Sequence, residues 1–173
     1  MKKIWPVLII ILLALLEAGT TSMLPMPFKL ISPTALYLII RASKIQNPAP
    51  WGLAIIAGLI LETVSIFPRG AYILLFIVLV GFTYLISYRL FTHHSFFSNI
   101  TAVAIGSFVM YSLLALLRYA SFSMTKNILF SISEMQAFEV IFLGTLVNSG
   151  FLVLITLFYM LMARIFKLPQ KLN

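Results

Sequence analysis

Carboxylates set in apolar sequence are the residues most able to do chemistry in this chain. The sequence holds only four acidic residues, and Glu62 lies inside the apolar run Pro50–Ile66. A carboxylate in hydrocarbon costs about 2.5 kcal/mol or more unless protein groups surround it. We therefore take Glu62 as the first candidate for a functional side chain.

Glu62 is spaced along its run with small residues. If residues 50–66 form one helix, the spacing i, i+4, i+8, i+11 places four side chains on one face: Ala54, Gly58, Glu62 and Ser65. Small residues let another helix approach closely. Two interpretations stay open. The face is a packing seam or polar pocket that organises the fold or receives a partner, or Glu62 reaches the headgroups at the helix end and pairs with Arg69.

Polar residues in two other apolar runs are weaker candidates. Glu17 ends the first run between Ala14 and Ala18, and we expect it at headgroup level. In the last run, Gly144 and Asn148 share a helix face with Leu152. A mid-membrane amide usually bonds to another helix, so we expect that role for Asn148, with a substrate contact as the less favoured alternative.

Motifs for catalysis and for metal binding are missing from the sequence. His93 and His94 are adjacent, but no acidic residue or third histidine is near them in sequence. The chain has no cysteine and no G-x-S-x-G, P-loop, G-x-G-x-x-G or H-E-x-x-H pattern. The sequence therefore predicts a protein that is not an enzyme and needs no cofactor.

Composition predicts residence in a membrane. Hydrophobic residues make up 62% of the 173 residues and charged residues 9%, which is too little charge to cover a soluble domain of this size. The net charge of +8 comes from basic residues placed singly or in pairs at the ends of apolar runs. That distribution indicates contact with lipid headgroups and not with nucleic acid.

Six apolar runs indicate an all-α integral membrane protein, one domain over residues 1–173 with about six transmembrane helices. A span needs about 20 apolar residues. The runs are Ile4–Ala18, Leu30–Ile40, Pro50–Ile66, Ala71–Tyr88, Ile100–Leu117 and Phe138–Phe166. The second run is short and contains Pro33, so five crossings remain the alternative. The N-terminal segment resembles a secretory signal, but Glu17 lies in the would-be cleavage region, so we expect a retained first helix.

Basic residues predict the orientation of the helices. With six crossings, eight basic residues lie on the side of the termini: Lys2, Lys3, Arg41, Lys44, Arg89, Arg164, Lys167 and Lys171. Four lie on the other side: Lys29, Arg69, Arg118 and Lys126. Both termini are therefore predicted to be cytoplasmic. The longest connection, Arg118–Ala137, would face outward, and its apolar spacing predicts a helix lying at the membrane surface.

A series of glycines, prolines and acidic residues runs through the first half of the chain. Its members are Leu16-Glu17, Leu24-Pro25, Pro33, Gly52, Gly58-Leu59 with Glu62, Ser65, Pro68 and Gly70. In this order and spacing, residues 16–90 resemble the rod-shape-determining MreD family. That family often has Leu-Gln where this chain has Leu16-Glu17. It commonly has Pro-Asp where Thr34 follows Pro33, and aspartate at the position of Glu62.

The resemblance implies a non-enzymatic scaffold in the bacterial cytoplasmic membrane. Such a scaffold would bind the single-pass MreC protein and support the complex that links MreB filaments to the enzymes of wall elongation. Two other functions are weighed against it. One is the substrate-binding subunit of an energy-coupling-factor vitamin transporter. The spacing of Ala14 and Ala18 resembles the contact motif in the first helix of such subunits. The other is a proton-coupled carrier that uses Glu62 and Asn148.

Overall fold

The computed structural model describes residues 4–20, 25, 28–43, 50–65, 67–90, 96–125 and 134–165. Over these residues the fold is all-helical, as predicted. The six α-helices are α1 (Ile4–Thr20), α2 (Pro33–Ser43), α3 (Pro50–Glu62), α4 (Ala71–Leu90), α5 (Phe96–Thr125) and α6 (Glu134–Ile165). A short 3₁₀ turn at Phe28–Leu30 leads into α2.

Three of the helices in the described part of the chain are long and apolar enough to cross a membrane. Their apolar windows are Ala71–Tyr88, Ser98–Leu117 and Phe138–Phe158, in α4, α5 and α6. Helices α1 and α3 are apolar but shorter; at 1.5 Å per residue, the 13 residues of α3 span about 20 Å. A total of six crossings therefore remains a prediction.

Helix α2 lies at the centre of the bundle. It packs against α1, α3, α4 and α5, and it buries Ala35, Leu38 and Ile39 almost completely. The predicted second run began at Leu30, but the helix starts at Pro33, because proline suits the first helical position and Ser32 caps it. With 11 residues, α2 is about 16 Å long, about half the thickness of the hydrocarbon core.

Helix α3 ends earlier than predicted. The predicted run extended to Ile66, whereas the helix ends at Glu62, and three tight turn bonds close it, including one from the Ser65 N–H to the Glu62 carbonyl at 3.2 Å. The β-branched pair Thr63 and Val64 favours this ending. The expectation that Ser65 shares a helix face with Glu62 is therefore wrong. Its Oγ instead accepts the Phe67 N–H at 3.0 Å.

Only the two ends of the surface helix predicted over Arg118–Ala137 fall within the described residues, and both ends belong to longer helices. Residues 118–125 continue α5, and residues 134–137 begin α6. No glycine or proline interrupts residues 118–125, so α5 can continue through them without a break. Apolar spacing alone does not distinguish a separate surface helix from such a continuation. Residues 126–133 lie outside the described part.

Candidate functional site

Glu17 is a carboxylate buried inside the bundle. It is only 9% exposed, so it is enclosed by the protein instead of facing headgroups as a free charge. One carboxylate oxygen, Oε1, accepts the Ser32 hydroxyl at 2.8 Å. The other, Oε2, accepts the Thr34 N–H at 3.0 Å. Both oxygens are therefore bonded to the residues that begin α2.

The position at the start of α2 explains how a carboxylate is tolerated there. The first N–H groups of a helix have no partner within the helix, and the helix dipole favours negative charge at this end. In α2 each of these N–H groups is accounted for. Pro33 has no N–H, the Thr34 N–H donates to Glu17, and the Ala35 N–H donates to Ser32 Oγ at 3.2 Å. The Leu36 N–H donates to the Ser32 carbonyl at 3.0 Å. The N-terminus of α2 is thus satisfied by the chain itself.

Asn148 joins the same cluster from α6. It is fully buried, and its Oδ1 accepts the Ser32 N–H at 3.1 Å. Its Nδ2 donates to the Tyr111 hydroxyl of α5 at 3.0 Å, so the amide bonds to another helix, as expected from its position. The Tyr111 hydroxyl in turn donates to the Leu30 carbonyl. We call Glu17, Ser32, Thr34, Tyr111 and Asn148 the polar network.

Gly144 makes room for Tyr111 in the polar network. A Cβ atom at this position would lie 2.5 Å from the Tyr111 ring, so the ring packs directly on the α6 backbone. Gly144, Asn148 and Leu152 are all buried, as expected for residues that share one face of α6. Glycine at this point and the amide one turn later together place the tyrosine hydroxyl.

Glu62, the last residue of α3, lies away from the polar network and beside the start of α4. It is half-buried, and its Oε1 accepts the N–H of Ile73, the third residue of α4, at 3.5 Å. A Cβ at Gly58 would lie 2.6 Å from the Ile73 Cα, and Ala54 is fully buried. Gly58 and Glu62 therefore both meet the start of α4 in the same chain, and this α3–α4 contact is separate from the polar network.

Metal binding finds no support in the part of the chain that the structure describes. No group of three or more histidine, cysteine or acidic side chains is placed there to hold an ion. His93 and His94 lie outside the described residues.

An apolar groove runs between α5 and α6. Its volume is about 400 Å³, and its walls are almost wholly apolar. The lining residues are Phe108, Phe138, Ile141, Phe142, Thr145, Leu146 and Ser149. None of the five residues of the polar network lines it. The groove therefore offers little to orient a polar ligand.

Ser32, Thr34 and Tyr111 are the members of the polar network that the sequence analysis did not select. A helix-start signal was available for Ser32, since serine directly before proline is typical of an N-cap followed by the first helical residue. Tyr111 carries no such signal, because its partners depend on how α5 and α6 pack.

The chain matches no protein-family model, no curated protein and no solved structure.

Proposed function

We propose that this protein is a non-enzymatic scaffold of the cell-elongation complex, similar to MreD, in the bacterial cytoplasmic membrane with both termini cytoplasmic. It would cross the membrane about six times, contact lipid, and bind an MreC-like single-pass protein of the wall-elongation machinery. One observation carries the proposal: the side chains of Glu17, Ser32 and Asn148 are bonded to groups of the chain itself, as expected of a protein that holds helices together.

A carrier would use the same elements differently. Transporters with discontinuous helices aim the N-terminus of a half-helix at an anionic group of the substrate. Here Glu17 and Ser32 occupy that position on α2, and both Glu17 oxygens are already bonded. The polar network thus supports a structural role and disfavours a substrate site at α2.

The contact between Glu17 and Thr34 supports the resemblance to MreD. Sequences of that family often have glutamine at the first of these positions and commonly have aspartate at the second. This chain has Glu17 and Thr34, and the Glu17 carboxylate bonds to the Thr34 backbone. A carboxylate moved from one side of a contact to the other can serve the same helix N-terminus. On this reading, Glu17 supplies at the start of α2 the carboxylate that is missing at Thr34.

The alternatives gain nothing from the geometry. For the vitamin-transporter subunit, Ala14 would have to face a partner, yet it is fully buried within the bundle of this chain. For the proton-coupled carrier, Glu62 and Asn148 would have to share a path. Asn148 instead bonds beside the start of α2, and Glu62 bonds at the start of α4.

Affinity purification tests the proposal directly. The tagged full-length chain is extracted in mild detergent, and co-purifying proteins and small molecules are identified by mass spectrometry. We expect an elongation protein to be captured, and we expect depletion of the chain to round the cells. An unrelated tagged multi-pass protein from the same membrane is the control. Recovery of a bound vitamin without any elongation protein would overturn the proposal in favour of the transporter subunit.

A further inference from the structure

Helix α6 is held to the bundle differently from the other long helices. Only 17% of its apolar window is buried, compared with 33% for each of the windows in α4 and α5. Its main contacts within the described residues are with α5 and with the 3₁₀ turn before α2. Five large exposed side chains of α6 form what we call its outward row: Phe138, Phe142, Leu146, Leu154 and Phe158.

Hydrogen bonds at one level of α6 tie it to the turn before α2. Asn148 accepts the Ser32 N–H at 3.1 Å and donates to Tyr111 at 3.0 Å. Tyr111 donates to the Leu30 carbonyl, so it also anchors that turn. By contrast, Thr145 lies one turn away and bonds only within α6, to the Ile141 carbonyl at 2.8 Å.

We propose that Asn148 and Tyr111 form a latch that fixes α6 against the start of α2, and that α6 changes position when the latch opens. Hydrocarbon offers these groups no other partner, so the latched position is favoured. Average hydrogen bonds between membrane helices are weak enough to break and re-form. Opening would move the outward row of α6 and the groove beside Phe108 while α1 to α4 keep their packing. The latch does not depend on the scaffold role.

Distance measurements between spin labels test the latch, and the natural absence of cysteine leaves a clean background. One pair of labels, at Leu85→Cys and Leu154→Cys, reports the distance between α4 and α6. A second pair reports α1 to α4, with Leu8→Cys and Leu85→Cys. All three side chains are exposed. The full-length protein is studied in lipid nanodiscs by double electron–electron resonance.

The expected result is specific to α6. Asn148→Leu should add a second α4–α6 distance and shift the ratio of the two positions about tenfold, as expected from losing two interhelical bonds of average strength. The α1–α4 distance should not change. Thr145→Val, the matched control, should leave both distances as in the unmodified chain.

An α4–α6 distribution in Asn148→Leu that equals that of Thr145→Val would overturn the latch. If Asn148→Leu also changes the α1–α4 distance, Tyr111→Phe decides, because it removes only the hydroxyl and keeps the ring on Gly144. A change confined to α4–α6 in Tyr111→Phe supports the latch. No change, or a change in both distances, refutes it.

Discussion

Glu17 and Glu62 each accept a backbone N–H from the start of the next helix, and the two contacts differ in strength. Glu17 lies in the last turn of α1 and binds the first residues of α2, whereas Glu62 ends α3 and binds the first turn of α4. Glu17 is buried, with bonds of 2.8 and 3.0 Å to its two oxygens. Glu62 is half-buried, with one contact of 3.5 Å. An acidic residue at a helix end is thus tolerated in an apolar chain when the next helix begins beside it.

The largest expected effect is the loss of the Glu17 carboxylate. Glu17→Ala leaves the Thr34 N–H and the Ser32 hydroxyl without an acceptor. A buried donor left without its partner costs about 1–3 kcal/mol, so we expect the loss of both bonds to lower the free energy of unfolding by about 3 kcal/mol. Reversible unfolding in mixed detergent micelles measures it. A loss no greater than that of Glu62→Ala would remove the distinction between the two sites.

The second prediction concerns the close approach of α3 to α4 at Gly58, one turn before Glu62. Gly58→Ala should lower the free energy of unfolding by about 2 kcal/mol, because overpacking typically costs 1–3 kcal/mol and the new Cβ would meet the Ile73 backbone. Gly52→Ala is the matched control, since nothing lies within 4 Å of its Cβ position. The same unfolding assay compares them. Equal stability of the two variants would contradict the α3–α4 contact.

Removal of one hydroxyl tests the α6 side of the polar network. Tyr111→Phe keeps the ring against Gly144 but loses the bonds to Leu30 and Asn148. We expect a loss of about 1 kcal/mol, within the range for hydrogen bonds between membrane helices. Tyr84→Phe, at an exposed position of α4, should change nothing measurable. A stabilised Tyr111→Phe variant would argue against the network.

Neutralising Glu62 should have the smallest effect. Glu62→Gln keeps an oxygen acceptor for the Ile73 N–H and removes only the interaction of a charge with the start of α4, for about 0.5 kcal/mol. Membrane insertion should be unaffected, and so should capture of the elongation protein that the proposed function predicts. Loss of partner capture with insertion intact would show that Glu62 acts on a partner as well as on α4.

The apolar helices α1, α3, α4, α5 and α6 could be predicted from the apolar runs in the sequence, because hydropathy reports on transfer from water to an apolar environment. The relative importance of Glu17 and Glu62 could not. In the sequence Glu62 lies inside its run and Glu17 at the end of one. In the fold α3 ends at Glu62, while the start of α2 folds over Glu17.

The contact of Asn148 with the start of α2 was equally hidden in the sequence. Ser32 and Asn148 are 116 residues apart, and their bond depends on how α6 packs along α5. An amide within an apolar run indicates that some bond across helices is needed. It does not indicate which helix supplies the partner, because that depends on tertiary packing.

A double-mutant cycle between Glu17 and Ser32 tests most directly whether the buried carboxylate builds the start of α2. The free energies of unfolding are measured for Glu17→Ala, Ser32→Ala and the double variant, with Glu62→Ala and Ser32→Ala as the parallel cycle. We predict a coupling energy of about 1 kcal/mol or more for Glu17 with Ser32 and additive effects for Glu62 with Ser32. Additivity in both cycles would contradict the account.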